Sequence, residues 1–108
     1  MPSVIILNYK NKNKEILSYN INGKFLNKVF EERGILSPKI GCDCFFNEYL
    51  VYLIENEEKK VIIRDLPYLN IKTEILIKFN DAEIIQIDKN NKYIYIGNKQ
   101  GNEWIYLK

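Results

Sequence analysis

The chain contains no histidine, which excludes Ser-His-Asp and Cys-His catalysis, imidazole-bound zinc and an imidazole pH switch. Its two cysteines, Cys42 and Cys44, are too few for a disulfide scaffold or a four-ligand metal site. No apolar run approaches the ~20 residues that span a bilayer as a helix. The start has only Val4 to Leu7 as an apolar core and no basic segment ahead of it, which is unlike a signal peptide. An excess of one charge is lacking too: 16 basic against 14 acidic residues leave +2, too balanced for an electrostatic nucleic-acid clamp. With a single Ala and a single Met, long helices are disfavoured. The expectation is a non-enzymatic protein with no cofactor and no metal, intracellular and cytoplasmic, associated with membranes only indirectly.

What is present is β-forming. Eighteen Ile, eight Tyr and five Phe in 108 residues suit a pleated, half-buried surface. Apolar-rich runs alternate with short clusters of Asn, Lys, Gly and Glu, the pattern of strands and turns. Strands are expected at Val4–Tyr9, Glu15–Asn20, Phe25–Phe30, Ile40–Phe45, Tyr49–Ile54, Val61–Asp65, Ile71–Phe79, Glu83–Asp88, Tyr93–Gly97 and Glu103–Leu107. Asn22-Gly23 suits a type I′ hairpin turn, in which both central residues take φ > 0. Gly34, Pro38 and Gly41 mark a longer connection, and Pro67 stops the strand that ends at Asp65. The apolar stripe at residues 25, 26, 29 and 30 also suits a short helix over Phe25–Arg33.

An internal repeat organises these runs. Asn47-Glu48-Tyr49-Leu50-Val51-Tyr52-Leu53 aligns without gaps on Asn91-Lys92-Tyr93-Ile94-Tyr95-Ile96-Gly97, a spacing of 44 residues. Arg64 pairs with Tyr106 at 42, and Tyr19 with Arg64 at 45. Four short strands per period of this length make one β-propeller blade. Such a blade has two apolar faces and buries them only by stacking on neighbours. The expected fold is therefore all-β: a partial WD-repeat-like propeller of about two and a half four-stranded antiparallel blades. Residues 1–32 would form the last three strands of one blade, 40–79 a complete blade, and 83–108 three strands of a final one. A closed ring needs more blades than this, so the chain is expected either to belong to a longer one or to assemble in several copies. A small independent sandwich or barrel is the alternative.

The segments Leu17-Ser18-Tyr19-Asn20-Ile21-Asn22-Gly23-Lys24-Phe25-Leu26, Tyr49 to Leu53 and Ile63-Arg64-Asp65-Leu66-Pro67-Tyr68-Leu69-Asn70 resemble, in order and separation, the C-terminal WD repeats of neurobeachin-like BEACH-domain proteins. The resemblance covers about residues 15–108. It implies a propeller that offers a protein-docking surface in vesicle traffic and membrane dynamics. The Trp-Asp that ends a typical third strand is Tyr19-Asn20, Arg64-Asp65 and Tyr106-Leu107 here, and the preceding Asp-Gly is Gln100-Gly101 and Glu58-Lys59. The family's Asp-His-Ser-Trp network cannot form without His, so ladder hydrogen bonds and apolar stacking, rather than buried polar networks, are expected to hold the blades.

Docking positions follow from the strand assignment. Loops Arg33–Lys39, Glu55–Lys60, Asn80–Ala82 and Asn98–Asn102 would share one propeller face. Arg33, Lys39, Glu57, Glu58, Lys59, Asp81, Asn98, Lys99, Gln100 and Trp104 are the residues expected to meet protein partners or the remaining blades, with self-association through open blade faces. Glu55, Glu57 and Glu58 lack the spacing and the Gly of a calcium loop. Gly97 to Gly101 lacks the helix and Lys-Ser/Thr step of a phosphate loop. Cys42 and Cys44, two apart on one strand, read as small filler. Asp65 is expected to accept backbone N–H bonds at the turn into Pro67, with Arg64 covering apolar surface. The competing reading, from another class of function, is a stand-alone β protein that binds RNA or a lipid surface through Lys10, Lys12, Lys14, Lys24 and Lys28, opposed between Met1 and Phe30 by Glu15 alone.

Overall fold

The structure, a computed structural model, describes residues 3–8, 14–42, 47–54, 60–77, 84–87, 93–97 and 102–106. These form ten strands: β1 (Ser3–Asn8), β2 (Glu15–Asn20), β3 (Phe25–Phe30), β4 (Ile35–Cys42), β5 (Glu48–Ile54), β6 (Lys60–Asp65), β7 (Ile71–Leu76), β8 (Ile84–Ile87), β9 (Tyr93–Gly97) and β10 (Asn102–Tyr106). They make three antiparallel sheets, none closed on itself: an N-terminal sheet β1-β2-β3, a middle sheet β4-β5-β6-β7 and a C-terminal sheet β10-β9-β8. Segment 25–30 is strand, not helix, because Phe25 to Phe30 complete the ladder on β2.

The middle sheet explains why Tyr49 to Ile54 is an unbroken apolar run: both of its faces are covered. Tyr49, Val51, Leu53, Val61 and Ile63 pack with Ile85, Ile94 and Ile96 of the C-terminal sheet. Leu50, Tyr52, Ile54 and Ile62 point the other way and pack with Ile16, Ile5, Leu7 and Val29 of the N-terminal sheet. The period-2 alternation of a strand sorts one sequence into two cores. Tyr49 and Tyr93, the anchors of the 44-residue repeat, lie in the second strands of separate sheets.

A second sign of the repeat is in the backbone. The β2–β3 register slips by one residue between Ser18 and Tyr19, and the β6–β7 register slips by one between Ile63 and Arg64. Tyr19 and Arg64 are the pair spaced 45 apart, so the same bulge recurs at the same repeat position.

Two turns depart from the sequence reading. Gly23 has φ +84° while Asn22 is not left-handed, and the Gly23 N–H donates to the Asn20 carbonyl at 2.9 Å. This is a three-residue loop closed by a left-handed glycine rather than a type I′ turn. The Asn20 Oδ1 stabilises it by accepting from the N–H groups of Asn22 and Lys24, both at 2.9 Å. Secondly, the stretch expected as a connection, residues 33–39, is mostly strand: β4 starts at Ile35. Pro38 is tolerated because β4 is an edge strand and because Ser37, at φ +51°, opens a bulge between Leu36 and Lys39.

Candidate functional site

A cluster of polar side chains converges where the N-terminal sheet hands over to the middle sheet. Glu31 and Arg33 occupy the tight turn that joins β3 to β4, Tyr52 lies on β5, Arg64 on β6 and Glu74 on β7. The turn is set locally, by a Glu31 N–H to Lys14 carbonyl bond of 2.6 Å and by Gly34 at φ +82°, whose N–H returns to the Glu31 carbonyl. It swings the Glu31 carboxylate inward over Tyr52.

Every charge there is matched. Arg33 grips Glu31 with Nε at 2.8 Å from Oε1 and Nη2 at 3.1 Å from Oε2. The Tyr52 hydroxyl donates to Glu31 Oε2 at 2.7 Å and accepts from Arg64 Nε at 3.0 Å. Arg64 Nη1 donates to the Leu69 carbonyl at 2.7 Å, and its Nη2 lies 3.7 Å from Glu31. At the margin Arg33 Nη1 meets Glu74 Oε1 at 3.1 Å, and Lys60 stands 3.7 Å from the same oxygen. Glu31 and Arg64 are buried, at 3% and 7% exposed, a position that charged groups hold only when paired and hydrogen-bonded.

The ionisation follows from those partners. Burial pushes the Glu31 carboxyl up, but the hydrogen bonds from Arg33 and Tyr52 outweigh it and hold the group below the ordinary glutamate value. The Arg33 hydrogen bond lowers Glu74 likewise. Hydrogen bonding to Glu31 raises Arg33 above the usual guanidinium range. Burial raises the Tyr52 phenol, so it stays protonated and able to donate. With its donors and acceptors turned on one another, the network is suited to fixing sheet against sheet.

This overturns the expectation that no buried polar network holds the sheets together. Glu31 accepts from Arg33 and Tyr52, and Arg64 donates to Tyr52 and to the Leu69 carbonyl. Arg64 does more than cover apolar surface. At the following turn it is the Asp65 backbone carbonyl that accepts, from the Leu69 N–H at 2.8 Å, while the Asp65 side chain is exposed.

Two smaller polar pins join the sheets. Ser18 Oγ donates to the Pro67 carbonyl at 2.6 Å and Asn27 Nδ2 donates to the Tyr68 carbonyl, docking the β6–β7 turn on the N-terminal sheet. On the other side Ser37 Oγ accepts from the Ile85 N–H at 3.0 Å, fixing β4 to β8.

The anticipated docking residues do not gather into one described site. Arg33 is turned into the ion-pair network. Lys39 is exposed but sits within β4, not in a loop, because the bulge at Ser37 lets the strand begin before it. Trp104 lies on β10, paired in register with Tyr95. Glu57, Glu58, Lys59, Asp81, Asn98, Lys99 and Gln100 fall outside the described residues, as do Lys10, Lys12 and Cys44. Of the lysine patch, Lys14 is half-buried, Lys24 is exposed beside the hairpin turn, and Lys28 pairs with Glu15 at 3.4 Å. Cys42 is half-buried at the end of β4. Among the described residues no group of three or more His, Cys, Asp or Glu is placed to hold a metal, and no helix is long and apolar enough to cross a membrane.

No family model, no curated protein and no solved structure matches the chain. What the sequence analysis missed, Glu31, Tyr52 and Glu74, carries only a faint signal. A lone Arg64 at the end of the buried run Val61-Ile62-Ile63 requires a carboxylate partner, and Glu31 lies beside a glycine turn that can deliver one.

Proposed function

We propose that the chain is a segment of a WD-repeat-like propeller and serves as a non-catalytic, protein-binding scaffold, of the kind the resemblance to BEACH-type proteins implies in vesicle traffic and membrane dynamics. One observation carries the reading: a four-stranded meander, covered on both faces by sheets of the same chain, repeats its bulge and its tyrosine anchor at 44–45 residues. Stacked leaves with no shared edge are what a propeller requires. The packing of β4 beside β8, first strand against first strand of adjacent sheets, supports it further. The donors and acceptors of the polar network are turned on one another, which supports a structural rather than a catalytic role.

NMR spectroscopy of the full chain tests the architecture on which this rests. Cross-peaks from Tyr52 to Ile16 and from Val51 to Ile94 are expected, with none between the backbones of β1 and β10. Backbone cross-peaks joining β1 to β10 would mean a closed barrel and overturn the proposal. Titration with labelled RNA and with anionic vesicles addresses the competing class. No binding is expected, whereas an affinity that falls steeply with salt would favour the lysine-rich reading.

A further inference from the structure

Each outer sheet has one face turned away from the middle sheet, and the repeat identifies what each face is equivalent to. In the N-terminal sheet, Val4 stands opposite Tyr19, as Leu50 stands opposite Arg64 in the middle sheet. With Tyr19 and Arg64 equivalent, Val4 and Ile6 are the counterparts of Leu50 and Tyr52. Those two are buried against the preceding sheet. Val4 and Ile6 have no such cover: with Phe25 and Phe30 on the same face they are between 46 and 53% exposed. In the C-terminal sheet, Tyr93 and Tyr95 are the counterparts of Tyr49 and Val51, which are buried against the following sheet. Tyr93 is 40% exposed.

The two outer faces are therefore equivalent to the two halves of an interface this chain already makes twice within itself. We propose that the outer face of the N-terminal sheet is covered by the outer face of the C-terminal sheet of a second copy, Val4 and Ile6 of one copy meeting Tyr93 and Tyr95 of the other. The proposal rests on the reading of the sheets as stacked blades and names the partner for their open ends. Scattered exposed apolar side chains need no explanation, but a patch of adjoining ones does: Val4, Tyr19 and Phe25 lie in one row with Ile6 beside them, and the Glu15–Lys28 ion pair shares the face. Each seam joins two different faces, because these belong to opposite ends of one stack, and a twofold axis makes the two seams equivalent. Two copies bring six leaves, within the range of about 4–8 that close a propeller ring. Two seams related by a twofold axis then leave neither face open.

The test is the mass in solution of the full chain and of two variants, Ile6→Lys and Tyr93→Lys, by sedimentation equilibrium. The unsubstituted chain is expected at twice its 12.9 kDa. Each variant alone is expected as a monomer, since each loses both seams. Mixed, the two are expected to form a 1:1 dimer, because one intact N-terminal face and one intact C-terminal face remain. A variant that stays dimeric by itself, or a mixture that stays monomeric, overturns the proposal. Phe25→Lys, on the same face as Ile6, replaces Ile6→Lys if that variant loses the Tyr52–Ile16 cross-peak. An unsubstituted chain that is monomeric and keeps the Tyr52–Ile16 and Val51–Ile94 cross-peaks overturns the second-copy proposal alone. A chain without those cross-peaks overturns the stacked-blade reading beneath it.

Discussion

Arg64 reaches diagonally across the β5–β6 ladder to place its Nε 3.0 Å from the Tyr52 hydroxyl. Because that hydroxyl also donates to Glu31, one phenol joins a strand of the middle sheet to the turn arriving from the N-terminal sheet. The network is a bond between sheets, and its removal should be felt as loss of stability.

Arg64→Met removes the donors to the Tyr52 hydroxyl and the buried Leu69 carbonyl, while Glu31 keeps its bonds from Arg33 and Tyr52. Leaving a buried acceptor unpaired costs about 1–3 kcal/mol, so chemical denaturation should show a loss of about 2 kcal/mol. Met keeps much of the apolar stem, so the loss reports on the guanidinium.

Tyr52→Phe and Glu31→Gln, made singly and together, form a cycle. Because the two side chains share a 2.7 Å hydrogen bond, their effects should not add, with a coupling energy of about 0.5–3 kcal/mol. Additive losses would mean that the bond contributes nothing.

The pH dependence has a definite sign. Glu31 has a folded-state pKa below its ordinary value of 4.5, so its contribution is present above that value and is lost as pH falls through the folded value. Thermal stability should therefore decline below about pH 4.5, and Glu31→Gln should flatten that decline. A decline of unchanged steepness in the variant would refute the assignment.

Gly41 lies beneath the Tyr49 ring, so closely that a Cβ there would collide with the ring and its hydroxyl. Gly41→Ala should lower the melting temperature, and Tyr49→Leu should recover part of the loss in the double variant. The recovery separates a steric effect from a general intolerance of substitution in β4.

Ser37→Ala removes the acceptor of the Ile85 N–H, on a residue that is fully buried. Leaving a buried donor unpaired costs about 1–3 kcal/mol. Amide exchange at Ile85 should accelerate in the variant while exchange in β2 stays slow.

Much of the architecture was legible in the sequence. Nine of the ten expected strands lie on observed ones to within a few residues, because alternation and continuous apolar runs follow burial directly. The exception is instructive. A proline and a flanking glycine disguised β4, and only its edge position and the bulge at Ser37 make Pro38 acceptable there. The Asn22-Gly23 hairpin was legible as a turn but not as its type, because Asn20 intervenes with its side chain. The Glu31–Tyr52–Arg64 network was hidden for a different reason. Its members are 21 and 12 residues apart, and only the stacking of two sheets brings them together.

The turn from Glu31 to Gly34 is at once the covalent crossing between two sheets and the carrier of the acid and base that lock them. Such a hinge has no slack. Lengthening it by a single residue would shift the carboxylate away from Tyr52 and, in the same stroke, displace the start of β4. This short stretch should tolerate insertions less than the other described segments between strands, however exposed Glu32 at its tip is.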